Sequence, residues 1–330
     1  MSEENQASLR WEVQLAHAQD DPEVLTLFSQ IFGHEMSLAQ WRWKYAEAPV
    51  RGIILRRAGQ AVAFFGGMPR TVQVQGEQRL AVQNGDSMVH PSERGVFSRQ
   101  GALFHCVTAY FSQYVGPGKA FDFAFGFPSD RAFRLGTTLG LYSPADRMMA
   151  LSWSPLDPST PLERAGSWLP LKEEPLNARR LSSIAHLWKQ MRRDWSTHFL
   201  PVRNAARWHY RFLQHPGVHY ELVLVRQRFT RRALCALALR EHADRVEWLD
   251  YVGPRAYTEI AVAAARRFAG KKGNKPLTAL FSEGIAADFQ AQVTSCGPSG
   301  IAIPLNFEAP SSRRPLQGEL WLMGADADFL

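Results

Sequence analysis

Residues 89–104 read VHPSERGVFSRQGALF. A strand-like run ends at Pro91, the chain turns through Arg94 and Gly95, and an amphipathic helix is predicted over roughly 97–114. A strand, a basic turn with glycine and then a helix is an arrangement that binds phosphate, because the helix N-terminus presents free N–H groups. The alternative is an ordinary strand-to-helix turn that carries a solvated arginine.

The segments around this turn alternate between helical and strand-like periodicity. In the first half we predict a strand at 10–18, helices at 20–33 and 37–45, hairpins at 52–67 and 71–90, a strand at 121–127, a helix at 129–140 and a strand at 145–153. The capping residues support the first two helices, because proline suits a first helical turn and serine suits an N-cap. The first half is therefore an α/β unit.

The second half repeats this order. Helices are predicted at 179–195 and 203–214, strands at 219–226, 232–241 and 245–252, then a helix at 256–270, a strand at 276–282, a helix at 285–297 and strands at 300–306 and 318–324. The proline-rich stretch 154–178 has no sustained periodicity and is predicted to be a linker. We therefore expect two tandem domains, 1–153 and 179–330, that arose by duplication.

The composition describes an ordinary globular protein. Of 330 residues, 45% are apolar and 21% are charged, and the polar, acidic N-terminus does not resemble a signal peptide. The three cysteines, Cys106, Cys235 and Cys296, are far apart, so neither a metal site nor a disulfide framework is expected. No apolar run reaches the roughly 20 residues of a membrane span. A reduced, cytoplasmic location is predicted.

The net charge of +7 favours an anionic partner. The arginines are scattered, however, and the densest basic stretch, 266–275, fits a helix end that runs into a solvated loop. The sequence contains no RNP-type or zinc-finger pattern. A phosphorylated cofactor or an acidic carrier protein is therefore favoured over nucleic acid.

Three stretches resemble the GNAT N-acetyltransferase superfamily, in particular its long bacterial two-domain members. They are WRWKYAEAP (41–49), MVHPSERGVFSR (88–99) and FGFPSDRAFRLGTTLGLY (125–142). The resemblance implies an α/β (α+β) fold of two tandem GNAT-like domains, each with a mixed, mostly antiparallel sheet flanked by helices. It also implies an acyl-CoA site in domain 1–153, and we expect the domain 179–330 to be degenerate.

The resemblance further implies that acetyl-CoA or another acyl-CoA binds between the central strands, with its pyrophosphate on the loop before the third helix, and that the acceptor is a primary amine on a small molecule or peptide. No metal is implied. The residues that match the cofactor-binding motif are Met88, Val89, His90, Arg94, Gly95, Val96, Phe97, Ser98, Arg99, Gly101 and Ser129. This loop is shorter than the family's usual R/Q-x-x-G-x-G/A pattern.

The candidate catalytic residues are Asp86 and His90 as the general base and Tyr142 as the acid that protonates the departing thiolate. Family members often carry a tyrosine where this chain has Gly136, and Tyr142 is the nearest phenol. Each candidate has a structural alternative. Asp86 fits a turn or bulge in QNGDS, His90 fits a hydrogen bond to the turn before Pro91, and Tyr142 fits simple packing.

The predicted function is transfer of an acyl group from CoA to an amine by direct attack on the thioester. Three alternatives remain open at this point. The donor could be an acyl carrier protein, the fold could be a non-catalytic binding module, or the basic surface could bind nucleic acid. Only acyl transfer from CoA to an amine predicts saturable binding of free acyl-CoA followed by turnover.

Overall fold

The computed structural model describes residues 10–94, 99–162, 170–306, 316 and 318–327. The chain divides into two compact units that are not contiguous in sequence. Unit 1 comprises residues 1–70, 80–143 and 304–310, and unit 2 comprises residues 71–79, 144–303 and 311–330. Among the described residues, no helix is both long and apolar enough to cross a membrane.

Unit 1 is built on a sheet with the strand order β1-β2-β3-β4-β5. Its elements are β1 Glu12–Ala16, α1 Asp21–Phe32, α2 Leu38–Lys44, β2 Gly52–Arg57, β3 Gln60–Val74, β4 Glu77–Val89, α3 Ala102–Tyr114, β5 Phe123–Gly126 and α4 Asp130–Thr138. β1, β2 and β3 pair antiparallel in sequence order, whereas β4 and β5 pair in parallel. As predicted, Ser37 caps α2 by accepting a hydrogen bond from the Gln40 amide.

Helices cover both faces of this sheet. One core cluster joins the sheet to α1 and α2 and contains Trp41, Tyr45 and Met88. The other joins the opposite face to α3 and contains Val82 and Tyr110. The two clusters identify the face to which each strand residue points, and the orientation of the candidate site follows from them.

β3 is one strand of 15 residues, although the sequence predicts two separate hairpins at 52–67 and 71–90. The Gly66–Gly67 pair, which resembles a break in the strand, lies inside it. A Cβ at Gly66 would stand well under 3.0 Å from the Tyr45 hydroxyl, and one at Gly67 equally close to the Tyr110 hydroxyl. The glycines therefore make room for a phenol on each face and do not mark a turn.

Unit 2 contains a second sheet region with the strand order β13-β6-β12-β11-β10-β9-β7. Its elements are β6 Ser143–Trp153, β7 Leu171–Pro175, α5 Ser182–Asp194, β8 Leu200–Pro201, α6 Ala205–Trp208, β9 Glu221–Gln227, β10 Ala233–Glu241, β11 Val246–Val252, α7 Thr258–Lys271, β12 Leu277–Ser282, α8 Glu283–Ala286 and β13 Ser295–Asn306. β8 pairs with the tip of β3. β11 and β12 pair in parallel.

Three further sequence expectations differ from the structure. The predicted linker 154–178 contains the strand β7. The predicted helix 285–297 is replaced by the short α8 and one 3-10 turn, because Thr294 instead donates its amide to Ser152 O at 2.8 Å. The predicted strand 318–324 makes only isolated bridges, at Leu320 and Met323. In each case a partner distant in sequence overrides the local pattern.

Candidate functional site

The two parallel strands of unit 1 part at a defined residue. β4 and β5 pair over Ala81–Asn84 and Phe123–Gly126, after which β5 ends and β4 continues to Val89. The strands approach closely at the last pair, because a Cβ at Gly126 would lie 2.9 Å from Asn84 O. A strand edge of this kind offers backbone N–H and C=O groups to an extended ligand. The predicted ligand-binding residues Met88 and Val89 lie on it.

A bulge in β4, just past the point where β4 and β5 separate, changes the face of the sheet to which the following side chains point. Asp86 has a φ of 52°, in the left-handed region that residues with a side chain rarely adopt. Val82 belongs to the α3-side core and Met88 to the α1–α2-side core, although strict alternation would place both on one face. The backbone at Asp86 accounts for this change of face. The bulge reading of QNGDS therefore describes the local structure.

The bulge turns the Asp86 carboxylate toward α2, where it forms an ion pair. Lys44 Nζ lies 2.8 Å from each Asp86 carboxylate oxygen, and the Tyr45 hydroxyl donates to Oδ2 at 2.7 Å. The side chains of Asp86 and Lys44 are only 6% and 7% exposed. Both oxygens thus already accept hydrogen bonds, so the carboxylate is a fixed negative charge beside the parting of the strands.

Sequence reasoning did not identify Lys44 and Tyr45 as partners of Asp86. The stretch WRWKY carries a stripe of aromatic residues at helical spacing, and its Tyr45 is fully buried. The available signal was the lysine next to the stripe, since a charged residue beside a buried aromatic face requires a partner. The partner lies about 40 residues away along the chain, at a bulge whose geometry the sequence does not specify.

His90 serves the turn that follows β4. Its Nδ1 atom lies 2.8 Å from Ser92 Oγ and accepts a hydrogen bond from the Ser92 amide at 3.3 Å. Its own amide donates to Val62 O on β3 at 2.8 Å. The imidazole thus makes the turn contact that was the structural alternative for this residue.

Glu93 stabilises the same turn through a buried side chain. It is 3% exposed and accepts hydrogen bonds from Trp11 Nε1 at 2.9 Å and from Arg57 at 2.6 Å, with Arg10 also 2.9 Å away. Burial alone would raise the pKa of this carboxyl, but Arg57, Trp11 and Arg10 outweigh it and hold the pKa below its usual value. Glu93 is therefore a structural anion.

Arg94 is the last described residue before the predicted phosphate loop. Its Nε donates to Val89 O at 2.8 Å, which holds the exposed side chain beside the end of β4. The four predicted loop residues Gly95, Val96, Phe97 and Ser98 lie outside the described residues. α3 begins at Ala102 and not near residue 97, with Gly101 as its N-cap and Arg99 exposed just before it.

Tyr142 occupies the space beside α4 that a side chain at Gly136 would enter. A Cβ at Gly136 would stand well under 3.0 Å from the Tyr142 Cζ and Oη atoms. The hydroxyl donates to Ala132 O at 2.9 Å, and the ring stacks on Phe133 with centroids 6.1 Å apart. Burial raises the pKa of Tyr142 to about 12. The phenol therefore lies beside the position expected from the resemblance, but its proton is already engaged.

The remaining candidates have structural roles in the described part of the chain. Ser129 caps α4 by accepting the Ala132 amide at 3.5 Å. Cys106 and Cys235 are buried, and burial raises the pKa of both thiols, so neither is an activated nucleophile. Among the described residues, no three His, Cys, Asp or Glu side chains come together as a potential metal site.

Unit 2 contains the same parting of parallel strands, but here the chain itself fills it. β11 and β12 pair only over Val246–Trp248 and Leu277–Ala279. Beyond that point residues 319–323, here called the C-terminal plug, lie against β12. Ser282 N donates to Leu322 O at 2.9 Å, and Leu322 N donates to Ser282 Oγ at 3.0 Å.

The C-terminal plug is buried, and ion pairs of a buried arginine hold it in place. Its residues Leu320 to Met323 are fully buried. The Arg203 guanidinium lies over the Trp321 ring at 4.3 Å, donates to Asp250 at 2.7 Å and also pairs with Asp326. Burial raises the pKa of Asp250 to about 6, although Arg203 opposes this shift. These contacts join the plug to β11.

Comparison with known proteins gives structural matches only. No protein-family profile and no curated protein matches the chain. A probable N-acyltransferase from Enterococcus faecalis V583 matches with a TM-score of 0.65 at 12% identity, over 90% of this chain and 72% of that one. A GCN5-related N-acetyltransferase from Kribbella flavida matches with a TM-score of 0.62 at 12% identity, over 92% and 72% of the two chains.

This chain has the GNAT fold. The predicted resemblance and the predicted α/β fold class, with mostly antiparallel strands flanked by helices, are therefore confirmed. The N-myristoyltransferase of Saccharomyces cerevisiae with bound myristoyl-CoA matches as well, with a TM-score of 0.57 at 14% identity, over 100% of this chain and 87% of that one.

Proposed function

We propose that this protein is an acyltransferase that binds an acyl-CoA in unit 1 and transfers the acyl group to a primary amine. The observation that carries the proposal is the edge of β4 beyond Asn84, where β5 has ended and the bulge at Asp86 has turned a charged side chain to one face. GNAT-fold neighbours described as N-acyltransferases and N-acetyltransferases support the same reaction class.

Backbone groups do most of the binding in this proposal. The edge from Met88 to His90 would hydrogen-bond the pantetheine amides, and an N–H group there that is not paired with β3 would polarise the thioester carbonyl. The His90 amide is excluded from that role, because it donates to Val62 O. Arg94 is held at Val89 O, and its two terminal nitrogens form no ion pair with a described residue. We therefore assign these nitrogens to the pyrophosphate, together with Arg99 and the N-terminus of α3.

The chemistry requires one proton to leave the amine and one to reach the sulfur. The amine nitrogen attacks the thioester carbon, the tetrahedral oxyanion collapses, and the C–S bond breaks to release CoA thiolate. Asp86 keeps lone pairs beyond those used by Lys44 and Tyr45, so we assign it as the general base, whose carboxylate takes the amine proton through a bridging water. Tyr142 can protonate the thiolate only if its bond to Ala132 O opens.

A second candidate function is a non-catalytic GNAT-fold binding module. The observation that favours it is the same engagement of Tyr142 with Ala132 O, combined with a glycine at position 136. Such a module would bind a ligand at the parting strands without turnover. Acyl transfer from a carrier protein is a third possibility, and it predicts no binding of free acyl-CoA.

Calorimetric titration of acetyl-CoA and myristoyl-CoA tests the proposal. Arg94→Ala is expected to weaken binding of the preferred donor at least about tenfold, or roughly 1.4 kcal/mol. Arg228→Ala is the matched control, since it removes an exposed arginine from the β9–β10 turn of unit 2. Absence of binding by the unaltered protein would remove the acyl-CoA proposal. Binding without thiol release in the presence of an amine panel would instead support the non-catalytic module.

A further inference from the structure

A polar pocket in unit 2 is not used by the proposed reaction. It encloses about 310 Å³ and is lined mainly by Thr71, Gln73, Gln78, Trp188, Arg192 and Asn204. This volume is at the small end of the range of ligand pockets and corresponds to roughly ten water molecules. The pocket is therefore large enough for a small metabolite but not for a CoA.

Backbone contacts fix the walls of this pocket. β3 residues Val72 and Gln73 pair with β8, and Thr71 O accepts the Val202 amide at 3.0 Å. The Gln73 side-chain amide donates to Arg192 O at the end of α5 at 2.7 Å. Asn204 is held as the N-cap of α6. The polar groups are thus positioned by the fold before any ligand binds.

Two of the lining groups have unused hydrogen-bond donors. The Trp188 side chain is largely buried, and no described residue accepts a hydrogen bond from its indole N–H, which borders the pocket. Arg192 is exposed, and its guanidinium forms no ion pair with any described residue. Both groups can only donate and both border the same pocket, so a ligand that binds there would accept hydrogen bonds from them.

We propose that this pocket binds a small anion, a carboxylate or a phosphate monoester, that also carries hydroxyl or amide groups. Indole and guanidinium groups can only donate, so the ligand must accept. A guanidinium matches the oxygen spacing of both anions, and no Asp or Glu is among the residues that line the pocket. Gln73 and Gln78 can serve additional ligand groups. The proposal does not depend on the acyl-transfer proposal.

The indole N–H signal of Trp188 in the ¹⁵N-labelled full-length protein provides the test. The signal is assigned by its disappearance in Trp188→Phe. N-acetylglycine is titrated against its uncharged amide, and glycerol 3-phosphate against glycerol. We expect at least one anion to shift this signal with millimolar or better affinity, whereas the neutral analogues do not. If only one of the two anions shifts the Trp188 signal, the result supports the proposal and shows whether the pocket selects a carboxylate or a phosphate monoester.

Arg192→Gln is expected to weaken anion binding at least about tenfold. Arg193→Gln is the control, because Arg193 is the next exposed arginine on α5 and does not line the pocket. Matching amide spectra establish that both variants remain folded. The proposal is overturned if neither anion moves the Trp188 signal at about 10 mM, where a millimolar site would be mostly occupied. It is also overturned if neutral analogues act equally, or if Arg193→Gln weakens binding as much as Arg192→Gln.

Discussion

Replacing Gly136 by alanine is expected to destabilise the protein, although alanine is the better helix former. The new Cβ would enter the space that the Tyr142 ring occupies beside α4, well under 3.0 Å from Cζ and Oη. The ring would have to move, and its hydrogen bond to Ala132 O would be lost. A steric effect would therefore outweigh a favourable backbone effect at this position.

The magnitude follows from three contributions. Overpacking of a formed site costs about 1–3 kcal/mol, and loss of the Tyr142 hydrogen bond costs about 0.5–1.5 kcal/mol. Alanine in place of glycine inside a helix returns about 1 kcal/mol. Gly136→Ala should therefore lower the free energy of unfolding by roughly 0.5–3.5 kcal/mol. In a Tyr142→Ala background the clash is absent, and the same change should stabilise by up to about 1 kcal/mol.

Urea denaturation of the four proteins of this double-mutant cycle measures the effect. The decisive feature is the change of sign, because a general disturbance of α4 would cost the same in both backgrounds. Equal cost with and without the Tyr142 ring would refute the placement of this phenol. The cycle also matters for function, because it tests whether Tyr142 lies beside position 136, where the resemblance places a proton donor.

Three further outcomes are expected. Trp321→Ala removes a fully buried ring from the C-terminal plug and should lower the free energy of unfolding by about 3–5 kcal/mol in urea. Lys44→Met leaves the buried Asp86 charge without its cation and should cost about 3–5 kcal/mol, most of which the double variant with Asp86→Asn recovers. Burial raises the pKa of Asp146 to about 6. Because the folded state then keeps a proton that the unfolded state releases, stability should fall from pH 4 to 6, by at most about 1.4 kcal/mol per pH unit. Asp146→Asn should flatten this slope in urea unfolding at several pH values.

Each of these predictions has its own control. Phe229→Ala, at a ring that is 69% exposed in the same unit, should change stability by less than about 0.5 kcal/mol. Arg147→Gln breaks an exposed ion pair with Glu283 and should destabilise the protein far less than Lys44→Met. If Trp321→Ala is as stable as Phe229→Ala, the Trp321 ring is not buried in the core of unit 2. If the free energy of unfolding of Asp146→Asn depends on pH as steeply as that of the unaltered protein, a different group causes the slope.

The order of elements was predictable because local signals determine it. Pro22 in the first turn of α1, Gly33 at its end and Ser37 before α2 occupy the helix boundaries that their chemistry favours. The strands before and after α3, now β4 and β5, were likewise predicted from the strand-like runs that flank this helix. These features depend on residues close together in sequence, so a pattern can reveal them.

The details of the site depend on contacts between distant residues, and the sequence did not reveal them. Asp86 is a buried ion-pair partner because Lys44 approaches from α2, and it faces α2 because the backbone bulges there. The predicted hairpin 52–67 ends at the Gly66–Gly67 pair, whereas β3 continues through both glycines, and each of them accommodates a phenol on one face of the sheet. Single-strand periodicity contains no information about which helix packs on which face.

The two strand partings explain why we place the acyl-CoA in unit 1 alone. A strand that loses its neighbour exposes N–H and C=O groups, and burying these without partners costs free energy. In unit 2, β12 has β6 on one edge at Phe281 and Ser282, and the C-terminal plug takes the edge that β11 has left. In unit 1, β5 ends at Gly126, so β4 beyond Asn84 keeps only β3 as a strand neighbour in the described part of the chain. An extended pantetheine carries two amides, which can form with β4 the kind of hydrogen bonds that the backbone of the C-terminal plug forms with β12. We therefore expect the same architecture to bind a ligand in unit 1, whereas in unit 2 the chain supplies its own peptide.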